Sequence, residues 1–371
     1  MPSSEQIQTQ AIVCRPPQDG ERKWALEKVS LSPLADDEVI VEMVATGICH
    51  TDFVCGSDPD EALPLGLPPY PRVLGHEGAG VVKSTGSKVT KVQDGDRVIL
   101  SFSFCKQCHN CQFGAPGYCH KWGEINFSGS RRAFSSLESE TRGVSIGGSF
   151  FGQSSFSRIT KVKEASLVKV TSLLENDDQL KILAPFGCGI QTGAGTITEL
   201  ANAQPADTVA ILGLGAVGLA AIAGAKIRGC KTIIGVDRVA SRLELAKDLG
   251  ATHVVDTGTI KGTLTEEIRG ITEGVGTTIT VDAAGAVPLI QQGVEFTANQ
   301  GKMILLGVPP MDAALQIPLV PYTMYVPNLI QWYKSGRLPI EKLVKFYPVE
   351  DYLKAIKDME DGVTIKPVLV W

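Results

Sequence analysis

The stretch "DTVAILGLGAVGLAAIAGAKIRGCKTIIGVD", residues 207–237, leaves this chain few folds to choose from. An apolar run of strand length, "TVAIL", enters a glycine turn. The turn opens a helical segment, and a second apolar run closes on Asp237. Parallel strands joined by a helix pack back with one hand only, and they need cover on both faces. Gly213, Gly215 and Gly218 spell G-x-G-x-x-G in the strand–turn–helix setting that gives this motif its meaning. The first glycine permits the tight turn, the second lets backbone approach a pyrophosphate, and the third lets helix and strand pack closely. Ala216 and Val217 start the helix, whose unpaired N–H groups favour an anion. Asp237 stands nineteen residues beyond Gly218. A carboxylate there can bond both hydroxyls of an adenosine ribose and repel a 2′-phosphate, which favours NAD. Arg238 comes directly after it and can accommodate that phosphate, so NADP stays open.

More strand-like runs occur at "HVVD", "TTITVDAAG" and "GKMILLG", with helical patterns such as "ASRLELAKDLG" between them. This alternation predicts an α/β, doubly wound parallel sheet. Residues before about 190 obey a different grammar. They are rich in Gly, Pro and Ser, with short alternating runs such as "EVIVEMVA" and "GAGVVKSTG", which predict a strand-rich, loop-rich domain. The tail returns to helical patterns and closes on the strand-like "KPVLVW". The expected division is therefore 1–189, 190–322 and 323–371, with one domain inserted into the other. A chain of 371 residues is long enough for this.

Cysteine usage is uneven: four of nine fall in "CKQCHNCQFGAPGYC". The N-terminal residues hold no apolar run that reads as a secretory leader, and no apolar run is long enough to span a membrane. A cytoplasmic protein is expected, and in a reducing compartment clustered thiols serve metals more often than disulfides. Cys105, Cys108, Cys111 and Cys119 have the spacing of a closed tetrahedral zinc site. An iron–sulfur cluster is the nearest rival, and a disulfide pair comes last. The formal net charge of −5 offers no electrostatic footprint for nucleic acid or an anionic membrane.

Three further signals lie apart: "GICHTD" with Cys49, "GHEGAG" with His76 and Glu77, and "FGCGIQTGAGT" with Cys188. Singly, each is as well explained by core packing or loop chemistry. Jointly they supply two thiolates and an imidazole, the Cys2His set known for catalytic zinc in alcohol dehydrogenase, which keeps a fourth position open.

With "GLGAVG" and "GVPP", these motifs occur in the order and approximate spacing of the zinc-dependent medium-chain alcohol dehydrogenases. The chain resembles that family over nearly its whole length. "SFCKQCHNCQFGAPGYC" and "SFFGQSSFSRI" look most like its aryl (benzyl) alcohol dehydrogenases. The resemblance implies a GroES-like β-rich catalytic domain carrying a structural zinc lobe, joined to a Rossmann coenzyme domain. It implies two zinc ions per chain. Cys49, His76 and Cys188 would hold the catalytic ion, with Glu77 able to approach it during ligand exchange. Asp52 would orient the imidazole. Thr51 would bond the substrate oxygen and pass its proton outward. His50 and Lys366 would face the cofactor phosphates, Thr192 and Val308 would border the nicotinamide, and Arg242 would reach toward the adenosine ribose. Phe102, Phe150 and Phe151 could line an apolar pocket, although aromatic residues are more often plain core.

The implied reaction is the reversible oxidation of a primary alcohol, aromatic or allylic, to its aldehyde with hydride transfer to NAD. Two alternatives share the scaffold: a reductase acting on an imine or conjugated C=C, and a non-catalytic zinc- and NAD(H)-binding protein. Two departures from the family pattern stand out. Val54 occupies the position where some members carry a proton-relay histidine. After "GKMILLGVPPMDAALQIPLVPY" the chain also lacks on the order of twenty residues expected for a sixth strand. That edge strand pairs subunits in the family, so the homo-dimer or tetramer implied by the resemblance is placed in question.

Overall fold

The computed structural model describes residues 6–57, 66–310, 313–315, 326–337 and 339–371. They divide into two compact units, residues 1–315 and 316–371.

The N-terminal half of the first unit is built from β1 (Gln8–Gln18), β2 (Glu21–Leu31), β3 (Glu38–Gly47), β4 (Arg72–Val73), β5 (Glu77–Thr85), β6 (Arg97–Leu100), β7 (Ser130–Ser136), β8 (Ser145–Gly148), β9 (Ile159–Lys163) and β10 (Leu167–Lys169). Five close into a barrel in the order β1-β2-β7-β8-β4, and five form a sheet in the order β10-β6-β5-β3-β9. Alternation along β1 sends Ala11 and Val13 inward onto Val29, Leu74, Phe134, Ile146 and Phe156. The second sheet buries Val39, Val41, Val82, Val98 and Val162 in the same way. β3 and β5 pair antiparallel, with register shifts between Ile40 and Val41 and between Met43 and Ala45. Such bulges bend a strand and re-aim the residues beyond its end. Beyond the end of β3 stands Cys49.

The other half carries the predicted parallel sheet. β11 (Thr208–Leu212), β12 (Thr232–Asp237), β13 (His253–Asp256), β14 (Thr277–Asp282) and β15 (Thr297–Leu305) run in the order β13-β12-β11-β14-β15. The apolar run "TVAIL" serves both faces. Val209 and Ile211 pack with Ile222, Ala225 and Val281 on one side, and Ala210 and Leu212 with Ile234, Val236 and Phe296 on the other. A strand covered twice has no need of polar alternation. Gly250, at φ +121°, ends the helix Ala240–Leu249. The order reverses between β11 and β14, and in open α/β sheets ligands enter at that switch point. Among the described residues β15 pairs only with β14. The stretch from which a sixth strand is expected to be missing lies outside the described residues.

In the second unit β16 (Val344–Pro348) and β17 (Lys366–Val370) pair in parallel and are joined through the helix Tyr352–Glu360. No helix of the described residues is long and apolar enough to cross a membrane.

Candidate active site and zinc centres

Four potential ligands converge from three sequence-distant segments. Cys49 lies between the end of β3 and the helix His50–Ser57, His76 and Glu77 open β5, and Cys188 comes after the tight turn Ala184–Gly187. One ligand atom from each of Cys49, His76, Glu77 and Cys188 lies within 4.8 Å of all the others.

Asp52 sits in the first turn of the helix and is fully buried. Its Oδ2 accepts the Cys49 N–H at 2.9 Å, and its Oδ1 accepts the Gly75 N–H at 3.1 Å and meets His76 Nδ1 at 3.0 Å. One carboxylate thus ties the Cys49 and His76 segments together and holds the proton of the imidazole on Nδ1. The other nitrogen, Nε2, is buried without a hydrogen-bond partner among the described residues and offers a lone pair once its proton is displaced. Such an orphan is costly unless a cation takes the lone pair.

Glu77 owes its place to a glycine. Gly47 stands opposite it across the β3–β5 pair, and a Cβ on Gly47 would collide with the Glu77 carboxylate. Glu77 Oε1 accepts the Gly189 N–H at 3.2 Å. The Cys188 turn is fixed by Ser101, whose Oγ donates to the Gly187 carbonyl at 2.7 Å.

The protonation pattern fits a cation site. A hydrogen bond from Cys188 pulls the Cys49 thiol down to about 3, against burial and with help from His76. Cys188 is pushed upward by that same bond and by burial. Burial also raises Glu77. Burial opposes charge on His76, yet Asp52 and Cys49 hold its pKa up to about 10. Three would-be anions around one imidazole share too few protons to satisfy one another. A divalent ion displacing those protons satisfies the set at once, and two sulfurs with an imidazole suit zinc.

The second cluster is built differently. The ligand atoms of Cys105, Cys108, Cys111 and Cys119 also lie within 4.8 Å of one another. Cys105 and Cys111 sulfurs are 3.8 Å apart, and Cys108 and Cys111 sulfurs 3.4 Å. These separations exceed a disulfide bond, and all nine cysteines are free. They lie near the ~3.8 Å edge of a tetrahedron with Zn–S of about 2.3 Å, which favours one ion over a cluster. Backbone N–H groups of Gln107 and Cys108 point at the Cys105 sulfur, and that of Cys105 at Cys119. Such donors favour thiolate: led by the His120 N–H, they bring Cys108 down to about 6, while burial pushes Cys111 up to about 12. Lys106 (φ +60°) and Gly114 (φ +80°) supply the left-handed turns that fold the loop.

The glycine turn has a distinct geometry at each of its three glycines. Gly213 adopts φ +90°. A Cβ on Gly218 would strike the Gly213 carbonyl, whereas one on Gly215 would meet nothing within 4 Å. Gly215 therefore faces open space at the start of the helix Ala216–Ile227, the approach a pyrophosphate needs. Asp237 ends β12 more heavily engaged than the sequence suggests. Its Oδ2 accepts the Leu214 N–H at 2.7 Å, and its Oδ1 accepts those of Arg238 and Val239 at 2.7 and 3.0 Å. Arg242 lies 3.6 Å from Oδ2. Burial works to raise the Asp237 pKa, but these N–H donors win and lower it, so the group is an anion that first of all shapes its own turn.

The helix Gly189–Gly195 bridges the two sites. Gly189 lies beside Glu77, Ala216 and Val217, and a Cβ on Gly193 would collide with the Val217 carbonyl. Thr192, in that helix, is half-buried. Thr51 Oγ1 is 3.9 Å from Cys49 Sγ, and His50 is exposed at the helix start. Val308 is 80% exposed beyond β15, its backbone against Gly285. Lys366 belongs to β17 of the second unit, opposite Val344.

The sequence offers Phe150 and Phe151 as pocket lining. The structure packs both against the imidazole of His76, and Phe102 against Phe104 and Trp122. Sequence reasoning misses Gln153, fully buried, which donates to the carbonyls of His76 and Ser101. It also misses the part played by Gly47. The run "FGQSS" carries no signal for the first, and a glycine just before the ligand-bearing "IC" is the available signal for the second.

A thiol–imidazole ligand set beside a glycine turn of the dinucleotide-binding kind, with a separate four-thiol set, is the arrangement of a metal-assisted oxidoreductase. Residues 35–172 match the family model of the alcohol dehydrogenase GroES-like domain, and residues 216–333 that of zinc-binding dehydrogenases. The chain is 34% identical to geraniol dehydrogenase of Castellaniella defragrans, over 94% of each protein. It is 38% identical to a probable alcohol dehydrogenase of a Pseudomonas species, over 73% of this chain and 82% of the relative. Among solved structures, benzyl alcohol dehydrogenase from Acinetobacter calcoaceticus superposes with a TM-score of 0.73 at 35% identity, covering 98% of this chain and 99% of that one. The chain belongs to the zinc-dependent medium-chain alcohol dehydrogenases, and the fold is that family's GroES-like domain joined to a Rossmann domain.

Proposed function

We propose that this enzyme oxidises aromatic or allylic primary alcohols to aldehydes, reversibly, with NAD as hydride acceptor. The observation that carries the reading is the convergence of Cys49, His76, Glu77 and Cys188 beside the glycine turn of the dinucleotide site. Similarity to proteins named geraniol dehydrogenase and benzyl alcohol dehydrogenase supports the substrate class. Conjugation in such substrates stabilises the carbonyl as it develops.

Cys49, His76 and Cys188 would hold one zinc ion, with Glu77 at hand, and the four-cysteine lobe a second. Held there, zinc would supply Lewis acidity toward the alcohol or aldehyde oxygen, and NAD would supply the hydride acceptor. This chain's residues do the remainder. Asp52 keeps the proton on His76 Nδ1 and aims Nε2 inward. Thr51 Oγ1 is the proposed first acceptor of the hydroxyl proton. Val54 cannot carry that proton further, so it leaves by another path. Gly213, Gly215 and Gly218, with Ala216 and Val217, seat the pyrophosphate, and His50 faces it. Asp237 and Arg242 face the ribose, with Arg238 as their neighbour, and Thr192 and Val308 border the nicotinamide. We infer the domain limits 1–189, 190–322 and 323–371, a cytoplasmic setting and assembly as a homo-oligomer on the family's pattern.

The decisive experiment mixes purified protein with NAD and benzyl alcohol, cinnamyl alcohol or geraniol and monitors NADH absorbance. A rise abolished by a zinc chelator is expected. Absence of any rise with all three, in protein holding two zinc ions per chain, would sink the substrate assignment.

A further inference from the structure

The segment beside the ligand ring is built against its own backbone preference. Ser149 (φ +59°), Phe151 (φ +53°) and Ser154 (φ +54°) all occupy the left-handed region, with Gly152 at +70°. Glycine goes there freely, and a phenylalanine only under constraint. The constraint is visible. Ser154 Oγ donates to the Val73 carbonyl at 2.7 Å and accepts the Phe150 N–H at 3.0 Å. Ser166 Oγ donates to the Phe151 carbonyl at 3.0 Å, and Thr160 Oγ1 to the Gln153 carbonyl at 2.6 Å. Gln153 Nε2 donates to the carbonyls of His76 at 3.0 Å and Ser101 at 2.9 Å, while its Oε1 accepts the Gly78 N–H at 3.3 Å. All of these side chains are buried.

A glycine would satisfy that backbone more cheaply than Phe151, so the ring itself must serve. It lies flat on His76, with centroids 4.5 Å apart and planes 22° from parallel. Trp122 and Phe127 brace it edge-on, each at 5.6 Å. Asp52 fixes the imidazole at one point, Nδ1, and one hydrogen bond leaves the ring free to tilt about it. A flat aromatic face removes that tilt. We propose that Phe151 is a positioning residue: its strained backbone presses its ring onto His76, fixing the imidazole plane so that Nε2 stays aimed between Cys49 and Cys188 and the metal is held longer. This rests on the reading that His76 holds zinc.

The test is release of zinc from the fully loaded protein to 4-(2-pyridylazo)resorcinol, monitored by colour. The release phase absent from Cys49→Ser identifies the cleft ion. Phe151→Leu keeps apolar volume without a flat face, and it should release the cleft ion at least tenfold faster. Phe151→Tyr keeps the face and should match the native rate, and the lobe phase should be the same in all. Phe151→Gly should release as fast as Phe151→Ala yet melt at a higher temperature, because only glycine adopts φ +53° without cost. Native-rate release from Phe151→Leu would overturn the stacking role, and a glycine variant melting no higher than the alanine variant would overturn the strain. If native protein has no phase that Cys49→Ser removes, the zinc reading itself fails, which is a different result from either.

Discussion

The two sulfur clusters use the same element for opposite ends. In the lobe, four cysteines within fifteen residues are gathered by the local chain, and backbone N–H groups supply most of the stabilisation of charge. In the cleft, ligands 139 residues apart in sequence (Cys49 to Cys188) are gathered by a finished fold, and side chains position them: Asp52 bonds the Cys49 N–H and His76, and Phe151 stacks on His76. On the proposed two-zinc reading the lobe would need its metal in order to keep its shape, whereas the cleft is shaped by the surrounding fold and would keep a functional position open. Removing an ion should therefore unfold one region and only silence the other.

The sharpest break in that comparison comes from ligand replacement. Cys49→Ser should cut alcohol-dependent NADH formation by roughly a thousandfold or more while thermal unfolding barely moves. Cys105→Ser should instead cost about 3 kcal/mol or more of stability, read by urea unfolding, and lose one zinc by elemental analysis. Equal behaviour of the two variants would erase the distinction. Next in size, Asp52→Asn should weaken cleft zinc about 10- to 100-fold in a chelator competition and leave lobe zinc untouched. Asp237→Ala should raise the Kd for NAD about tenfold and that for NADP less. It should also destabilise the turn by about 1–3 kcal/mol, because three backbone N–H groups lose their acceptor. Equal losses of both cofactors would remove the case for a ribose contact.

The smallest effect concerns how the lobe is anchored. Glu164 accepts the N–H groups of Thr90 and Lys91 and pairs with Lys106 inside the lobe. Burial opposes its charge, yet Lys106 and those donors lower its pKa to about 2. A carboxylate depressed on folding stabilises above its unfolded pKa of about 4.5, and that support is lost as pH falls toward 2. Glu164→Gln should flatten the decline of stability across that window, and an unchanged slope would show that the anchor is only geometric.

Much of this is legible in the residues. The glycine motif fixes its own turn, because Gly213 and Gly218 have only one use at that spacing. Both sulfur sets can be assembled from residue types and order. Three things leave no readable trace. A left-handed phenylalanine looks like any other in a sequence, so Phe151 reads as pocket lining or plain core. The saturation of Asp237 by the Leu214, Arg238 and Val239 N–H groups depends on a turn geometry that no side-chain pattern encodes. Gln153 bonds groups 52 and 77 positions away, a range at which local pattern carries no information.

The glycine contact between the helices Gly189–Gly195 and Ala216–Ile227 has a mechanical consequence. With Gly193 pressed to the Val217 carbonyl and Gly224 against Ala194, the two helices have little room to slide. Cys188 stands at the start of one helix and Gly215 of the phosphate turn at the start of the other, so the seam holds the separation between the ligand ring and that turn fixed.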